Sequence, residues 1–364
     1  MKPQAQAAKK QNLMNPYQSQ PVKAFWKPAV GERSLSNLSE LWGPKFAIAP
    51  DSKVATYGSC FAQHFGQALI RRNHHWLNTE PAPAGLKPEQ ARAFGYNLFS
   101  SRTGNIYTTS LMQQWCLWSF GIAAPPDEIW QRDDRFFDPY RPMIEPEGFA
   151  SPDELLATRA HTFACFRSSV EQANCLVFTL GLTERWGNIL NGTEYPICPG
   201  TTAGTFNQDQ HVFDNMDYSS VRESLLAAIG LMRDANPGLN ILLTVSPVPL
   251  TATATKQHVL IATMHSKSIL RAVAGQVAME LPYVDYFPSY DIISSPALKS
   301  SFFAPNKRDV TGQAVGYVMD RFFGAQAESF GPFKEQPPAD HHLRQSQIDP
   351  VCDEEMLAAF GADR

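Results

Sequence analysis

The sequence lacks the features that would assign it to several broad classes. No stretch approaches the roughly 18 consecutive apolar residues that a membrane-crossing helix needs, so no transmembrane segment is expected. Charge of one sign is not in excess either: 31 basic and 35 acidic residues leave a formal charge of −4. There is then no global drive toward nucleic acid or an anionic membrane, and no nucleic-acid partner is expected. Six cysteines (Cys60, Cys116, Cys165, Cys175, Cys198 and Cys352) show neither CxxC nor paired spacing, which argues against a disulfide framework. The opening MKPQAQAAKKQNLM has no hydrophobic core of a signal peptide. Together these absences read as reduced thiols in a cytoplasmic protein. Adjacent His74 and His75 point apart on any regular element and have no nearby Cys or carboxylate cluster, so no metal, and no other cofactor, is expected. No internal repeat is evident, and oligomeric state is not legible.

What is present centres on Lys53 to Phe65, reading KVATYGSCFAQHF. A β-prone run, Val54 to Tyr57, turns at Gly58, places Ser59 and Cys60 at the turn, and continues as an apolar helical pattern through Phe61, Phe65, Leu69 and Ile70. A hydroxyl at the carboxyl end of such a strand stands at the mouth of an α/β sheet, where the positive end of the next helix favours an oxyanion. Strands are expected again at Cys175 to Leu180, Asn240 to Ser246 and Tyr283 to Phe287. They alternate with helices at Ala62 to Arg72, Leu111 to Ile122, Ser151 (as N-cap) to Gln172, Tyr218 to Asn236 and Ser266 to Ala278. The pattern predicts an α/β fold, a three-layer α/β/α sandwich with a mostly parallel, doubly wound sheet and a site across the strands' carboxyl ends. Residues 1–44 read as an N-terminal extension with an ill-ordered arm over residues 1 to about 25. Residues 45–325 form the domain and 326–364 a C-terminal extension with a short terminal helix. The proline- and aromatic-rich stretch after Ile122 reads as an insertion covering one face, and Arg185 to Asn215 as a long loop.

The run GSCFA at Gly58 to Ala62 resembles the signature of the GSCFA family, bacterial proteins similar to the SGNH/GDSL hydrolase superfamily. Further stretches match in order: FSSRTGNIYT, FTLGLTERW, CPGTTAGTF, TVSPVPLTAT, SKSILRA and YFPSYD. The resemblance covers roughly residues 45 to 325 and implies an SGNH hydrolase-like sandwich. It further implies a serine esterase or O-acyltransferase acting on an acyl ester of a carbohydrate or similar small-molecule metabolite. Ser59 would be the nucleophile, and Gly104, with Asn105 beside it, would supply oxyanion donors. The alternative is a non-catalytic ligand-binding or scaffold protein on the same fold.

Two blocks depart from the SGNH pattern. Where an asparagine would donate to the oxyanion, Thr183 and Glu184 stand; an ionised glutamate cannot donate, and Glu184 would orient a histidine or bind a substrate hydroxyl. Where a DxxH motif would supply the base before the last helix, Asn306 takes the Asp place and Asp309 the His place. A serine hydroxyl without a base is a weak nucleophile. The candidates for that base are His258, just past a strand end, His211 in the long loop, and His64, which helical geometry points away from the turn. Asp309 with a raised pKa is the next possibility, and binding without catalysis the last. Cys60 is a rival nucleophile or a core cysteine behind Ser59. Lys267 and Arg271 share one helix face, with solvation as the default and an anionic substrate as the alternative.

Overall fold

The computed structural model describes residues 15–34, 37–298, 302–333 and 350–361. In chain order the strands are β1 (Val54–Gly58), β2 (Trp130–Arg132), β3 (Arg135–Phe137), β4 (Cys175–Leu180) and β5 (Glu184–Asn188). They continue as β6 (Glu194–Tyr195), β7 (His211–Asn215), β8 (Asn240–Val245) and β9 (Val284–Tyr286). The helices are α1 (Phe61–Arg71), α2 (Pro88–Ala93), α3 (Thr109–Ser119), α4 (Pro152–Gln172) and α5 (Tyr218–Ala235). After them come α6 (Val259–Glu280), α7 (Ser289–Ser294) and α8 (Gly312–Phe330).

The central sheet is parallel, in the order β1-β4-β8-β9. Every residue of β1 and β4 is buried, because both faces are covered by helices and an uninterrupted apolar run can satisfy both. On one face, Phe65 and Leu69 of α1 and Val318 and Phe322 of α8 pack over Val54, Val177 and Leu242. On the other, Trp115, Phe166, Leu225 and Val273 from α3, α4, α5 and α6 pack over Tyr57, Phe178 and Leu243. The three-layer α/β/α sandwich expected from the sequence is therefore the observed fold.

The path of the chain decides where a crevice opens. Leaving β1, it crosses through α1 and returns to the outer edge of β1, where Trp76 bridges Val54 in parallel and Leu77 N–H donates to Val54 O at 2.8 Å. It later crosses the opposite face through α4 and enters β4 on the other side of β1. Right-handed crossovers that leave a strand in opposite directions must use opposite faces, so the connections diverge at the carboxyl end of β1.

Three sequence expectations change. Residues 185–215 are not a loop: β5 pairs antiparallel with both β6 and β7, in the order β6-β5-β7, with Trp186 opposite Tyr195 and Phe213. These strands are short and separated by Pro and Gly turns, and β7 buries only His211, so no long apolar run marks them. Helix α6 begins at Val259, not at Ser266, with His258 as its N-cap residue. The insertion after α3 holds the β2–β3 hairpin and is anchored in the core by Trp130, Phe137 and Tyr140. Asp138 there accepts from Arg141 Nε at 2.8 Å and lies 3.0 Å from Arg159 Nη2, all three side chains being buried.

The expectation for the N-terminal arm falls partly outside the described residues; within them, Pro16–Ser19 and Val22–Ala24 form exposed 3-10 turns. Trp42 stacks on Phe322 and meets Phe287 edge-on, as a packing anchor. Beside it, Lys45 N–H donates to Asp285 Oδ2 at 2.9 Å and Lys45 Nζ donates to Val284 O at 2.8 Å, along the outer side of β9. Among the described residues no helix is long and apolar enough to cross a membrane.

Candidate active site

The carboxyl end of β1 is drawn tightly against β4. Gly58 has φ +127°, and a Cβ there would lie 2.2 Å from Thr179 O, so only glycine can occupy the position. The next residue, Ser59, donates its N–H to Thr179 O at 3.0 Å and accepts from Ala62 N–H at 2.9 Å, the first turn leading into α1. Its side chain is thereby held at the divergence of the crossovers. Ser59 is 2 % exposed, and its Oγ is buried with no hydrogen-bond partner.

The other blocks singled out in the sequence gather around it. Gly104 has φ +68°, and two residues later Ile106 N–H donates to Gly58 O at 2.9 Å. Tyr107 O accepts from Gly181 N–H at 2.9 Å and Leu182 N–H at 3.1 Å, which stitches that segment to the exit of β4. Gly181 packs against Ser59 so closely that a Cβ on it would sit 3.2 Å from Ser59 Cβ. From α6, Ser266 Oγ accepts from Thr183 N–H at 3.1 Å, and Lys267 Nζ donates to Gly181 O at 2.6 Å.

Lys267 was read from the sequence as a solvated partner of Arg271, but it is 1 % exposed. Burial pushes its amine down to about 8, against the opposing pull of the Glu354 carboxylate. Arg271 goes elsewhere: it pairs with Asp291 at 2.8 Å and lies over the Tyr286 ring. The face expected to be shared is thus split between a buried amine and a half-buried ion pair.

The residues considered as base are not at the serine. His258 is exposed and accepts Leu260 N–H on Nδ1 at 3.2 Å, capping α6. His211 accepts Asn207 N–H at 3.1 Å and meets the Tyr195 ring edge-on and the Phe206 ring at a tilt. His64 meets the Phe61 ring. Asp309 is bound at 2.6 Å by Asn306 Nδ2 on an exposed turn, and the residue that turns inward from that segment is Arg308. Thr183 Oγ1 donates to Asn215 Oδ1 at 2.6 Å, while Glu184 accepts from Thr253 Oγ1 at 2.6 Å and Ala254 N–H at 3.2 Å. Burial raises the Glu184 pKa.

Sequence reasoning missed one contributor altogether, the segment 350–361. Val351 exchanges hydrogen bonds with the Gln63 side chain, at 2.7 and 3.0 Å, and Glu354 N–H donates to Tyr107 Oη at 3.3 Å. Asn105 Nδ2 donates to Val351 O at 3.4 Å, Asp353 lies against Gly104, and burial pushes the Asp353 carboxyl up to about 7, with the Asn105 amides opposing. Cys352 packs with Cys60, Tyr107, Leu182 and Leu250. Arg308 lies 3.8 Å from Glu354, and burial raises the Glu354 carboxyl to about 8. Beside this cluster a cavity of about 290 Å³ opens, walled by Trp186, Ile197 and Leu250, with Glu184 and Glu354 at its rim and Leu357 and Phe360 from the same segment. The expected short terminal helix is there, as 3-10 turns over Asp353–Gly361.

No match was found among curated proteins, and none among solved structures. The family profile described as GSCFA family matches residues 53–322, a span that contains Ser59, Asn105, Gly181 and Lys267 and stops short of Cys352 and Asp353. On that match, which takes in the whole central sheet, the chain belongs to the GSCFA family.

Proposed function

We propose that the chain is a serine esterase or O-acyltransferase that acts on an acyl ester of a carbohydrate or similar metabolite, with Ser59 as nucleophile. The observation that carries this reading is the Ser59 hydroxyl itself, buried without a partner at the point where the crossovers diverge. A buried hydroxyl left unpaired is costly unless a ligand or a reacting group completes it. The likeness of GSCFA proteins to SGNH hydrolases supports the same role.

The base in this reading is Lys267, and it replaces the histidine that the sequence lacks at Asp309. A lysine works as a general base only when its amine is partly unprotonated near neutral pH, which burial achieves here. Lys267 takes the Ser59 proton as Oγ bonds to the acyl carbon. In this reading the Asn105 amides stabilise the developing oxyanion. Lys267 then returns the proton to the departing alkoxide, and the acyl-serine passes its acyl group to water or to an acceptor hydroxyl. The neighbouring apolar cavity receives the acyl chain. In the structure Asn105 Nδ2 is engaged by Val351 O at 3.4 Å and the Asp353 carboxylate lies against Gly104, so in this reading segment 350–361 moves aside for turnover.

One observation favours the alternative of a binding protein without catalysis: no histidine reaches Ser59 Oγ, which has no partner among the described residues. The experiment that separates the two readings is labelling with a serine-reactive phosphonate together with hydrolysis of a small activated ester. Wild type should label at Ser59 and turn over, and Ser59→Ala should do neither while melting at nearly the same temperature. Unchanged hydrolysis by purified Ser59→Ala would remove Ser59 as nucleophile.

A further inference from the structure

Cys60 and Cys352 are far apart in sequence, and the fold brings them together. Both are buried, at 3 % and 6 % exposure, in one small cluster with Tyr107, Leu182 and Leu250. The other four cysteines lie elsewhere: Cys116 and Cys175, for example, sit in the two main cores on opposite faces of the sheet.

The two sulfurs are not equivalent. Cys352 Sγ lies 3.4 Å from Tyr107 Oη and 3.8 Å from Arg308 Nη2, so a hydroxyl and a guanidinium converge on it. Cys60, one residue past the nucleophile candidate, lies in the same cluster, and no hydrogen bond to its sulfur is found among the described residues. The neighbouring Cys60 thiol and the Arg308 charge draw the Cys352 thiol down, and Cys352 and burial push Cys60 up. Pairing one pre-ionised thiol with one protonated thiol is the arrangement that thiol–disulfide exchange uses.

We infer that Cys60 and Cys352 form a redox site that closes to a disulfide and fastens the C-terminal segment over Ser59. The oxidant is a low-molecular-weight disulfide. The Cys352 thiolate attacks one of its sulfurs, forming a mixed disulfide and expelling one small thiolate. The Cys60 thiol then gives up its proton and attacks Cys352 Sγ, expelling the second small thiolate, which takes that proton; the first thiolate takes from solvent the proton that Cys352 lost on ionising. Two protein thiols and one disulfide give one protein disulfide and two small thiols. Cys352 lies beyond the residues matched to the family, so the device is an addition to the shared domain. Closing it holds Asp353 against Asn105 and bars the site; reduction frees the segment. The thiol chemistry stands apart from any esterase activity, so it can be tested even if the reading of Ser59 fails.

The experiment equilibrates the full chain in glutathione buffers from fully reduced to fully oxidised, followed by acid quenching, alkylation and peptide mapping by mass spectrometry. The expected result is a species lighter by two hydrogens that carries a Cys60–Cys352 cross-linked peptide. It should be absent from Cys60→Ala and from Cys352→Ala, each checked for folding by its melting transition. Oxidised wild type should also protect the 350–361 peptide bonds from protease, and dithiothreitol should reverse this. Three results overturn the inference: both cysteines alkylated in the most oxidising buffer, a glutathione adduct on Cys352 that never resolves, or Cys352 joined to a different cysteine.

Discussion

Lys267 Nζ donates to Gly181 O at 2.6 Å, and Gly181 is the residue whose Cα packs against Ser59. A fully buried amine is thus fixed to the backbone beside a serine hydroxyl that has no partner. Lys267→Met should lower ester hydrolysis by roughly 100-fold or more, the scale of a lost general base. The melting temperature should fall modestly, because an apolar chain of similar length fills the space but Gly181 O loses its donor and Glu354 its nearby cation. Lys267→Arg should not rescue, since a guanidinium keeps its proton. The wild-type rate should climb with pH through about 8, as the amine deprotonates. A flat profile, or full activity in the methionine variant, would return the search to His258, His211 or Asp309.

Docking of segment 350–361 should depend on pH through Asp353. Burial raises its carboxyl to about 7, with Cys352 and Glu355 pushing the same way and the Asn105 amides opposing. Glu354 is raised by burial too, against the pull of Arg308 and Lys267. A group whose folded pKa is raised contributes stability that is complete below its unfolded pKa and lost as pH rises through the folded value. Docking should therefore be firm in acid and loosen through neutrality, read as faster amide exchange over 350–361. Asp353→Asn should flatten much of that dependence and, by releasing no charge into the site, hold the segment down at alkaline pH. Equal exchange in the wild type across this range would count against the assignment.

Gly58→Ala should destabilise by roughly 3 kcal/mol or more, because the left-handed backbone and a 2.2 Å clash with Thr179 O leave a Cβ no space. Denaturant unfolding checks this. A fall of under about 0.5 kcal/mol would mean that β1 and β4 can separate at this point.

The Asp138 carboxylate holds Arg141 and Arg159 in the insertion after α3, and all three are buried. Asp138→Ala leaves two guanidinium groups uncompensated and should cost about 3–5 kcal/mol. Ester hydrolysis per folded molecule should change less than stability, because the ion cluster reaches the segment that carries Gly104 and Asn105 through one long hydrogen bond, from Arg141 Nη1 to Arg102 O at 3.4 Å. Loss of rate without loss of stability would assign the insertion a part in the site.

The parts of the fold that could be read from sequence were those fixed by neighbouring residues. Ser151 does cap α4, its Oγ accepting Glu154 N–H at 3.2 Å, and CLVFTL is a strand buried on both faces, since each signal lies within one element. The strand, turn and helix around Ser59 were legible for the same reason. The β5–β7 sheet was hidden because β5 and β7 are mostly half-exposed or exposed and carry no continuous apolar run. Lys267 read as a surface residue because helical spacing alone cannot say which face a charged side chain shares with the core. The docking of Cys352 and Asp353 had no local signal at all: their partners, Cys60, Tyr107 and Asn105, are brought to them only by the completed sheet.

The outer rim of the sheet has a consequence for how the protein meets copies of itself. Beyond β9, which is three residues long, Lys45 places its main chain on Asp285 and its ammonium on the Val284 carbonyl. At the opposite rim, residues 75–77 already take up Val54. An exposed strand is an invitation to add another strand from a second molecule, and a lysine laid along it is a common way of withdrawing that invitation. Both ends of this sheet are occupied at their first residues, so molecules of this chain are guarded against joining into a continuous β-ribbon, and self-association by that route is disfavoured.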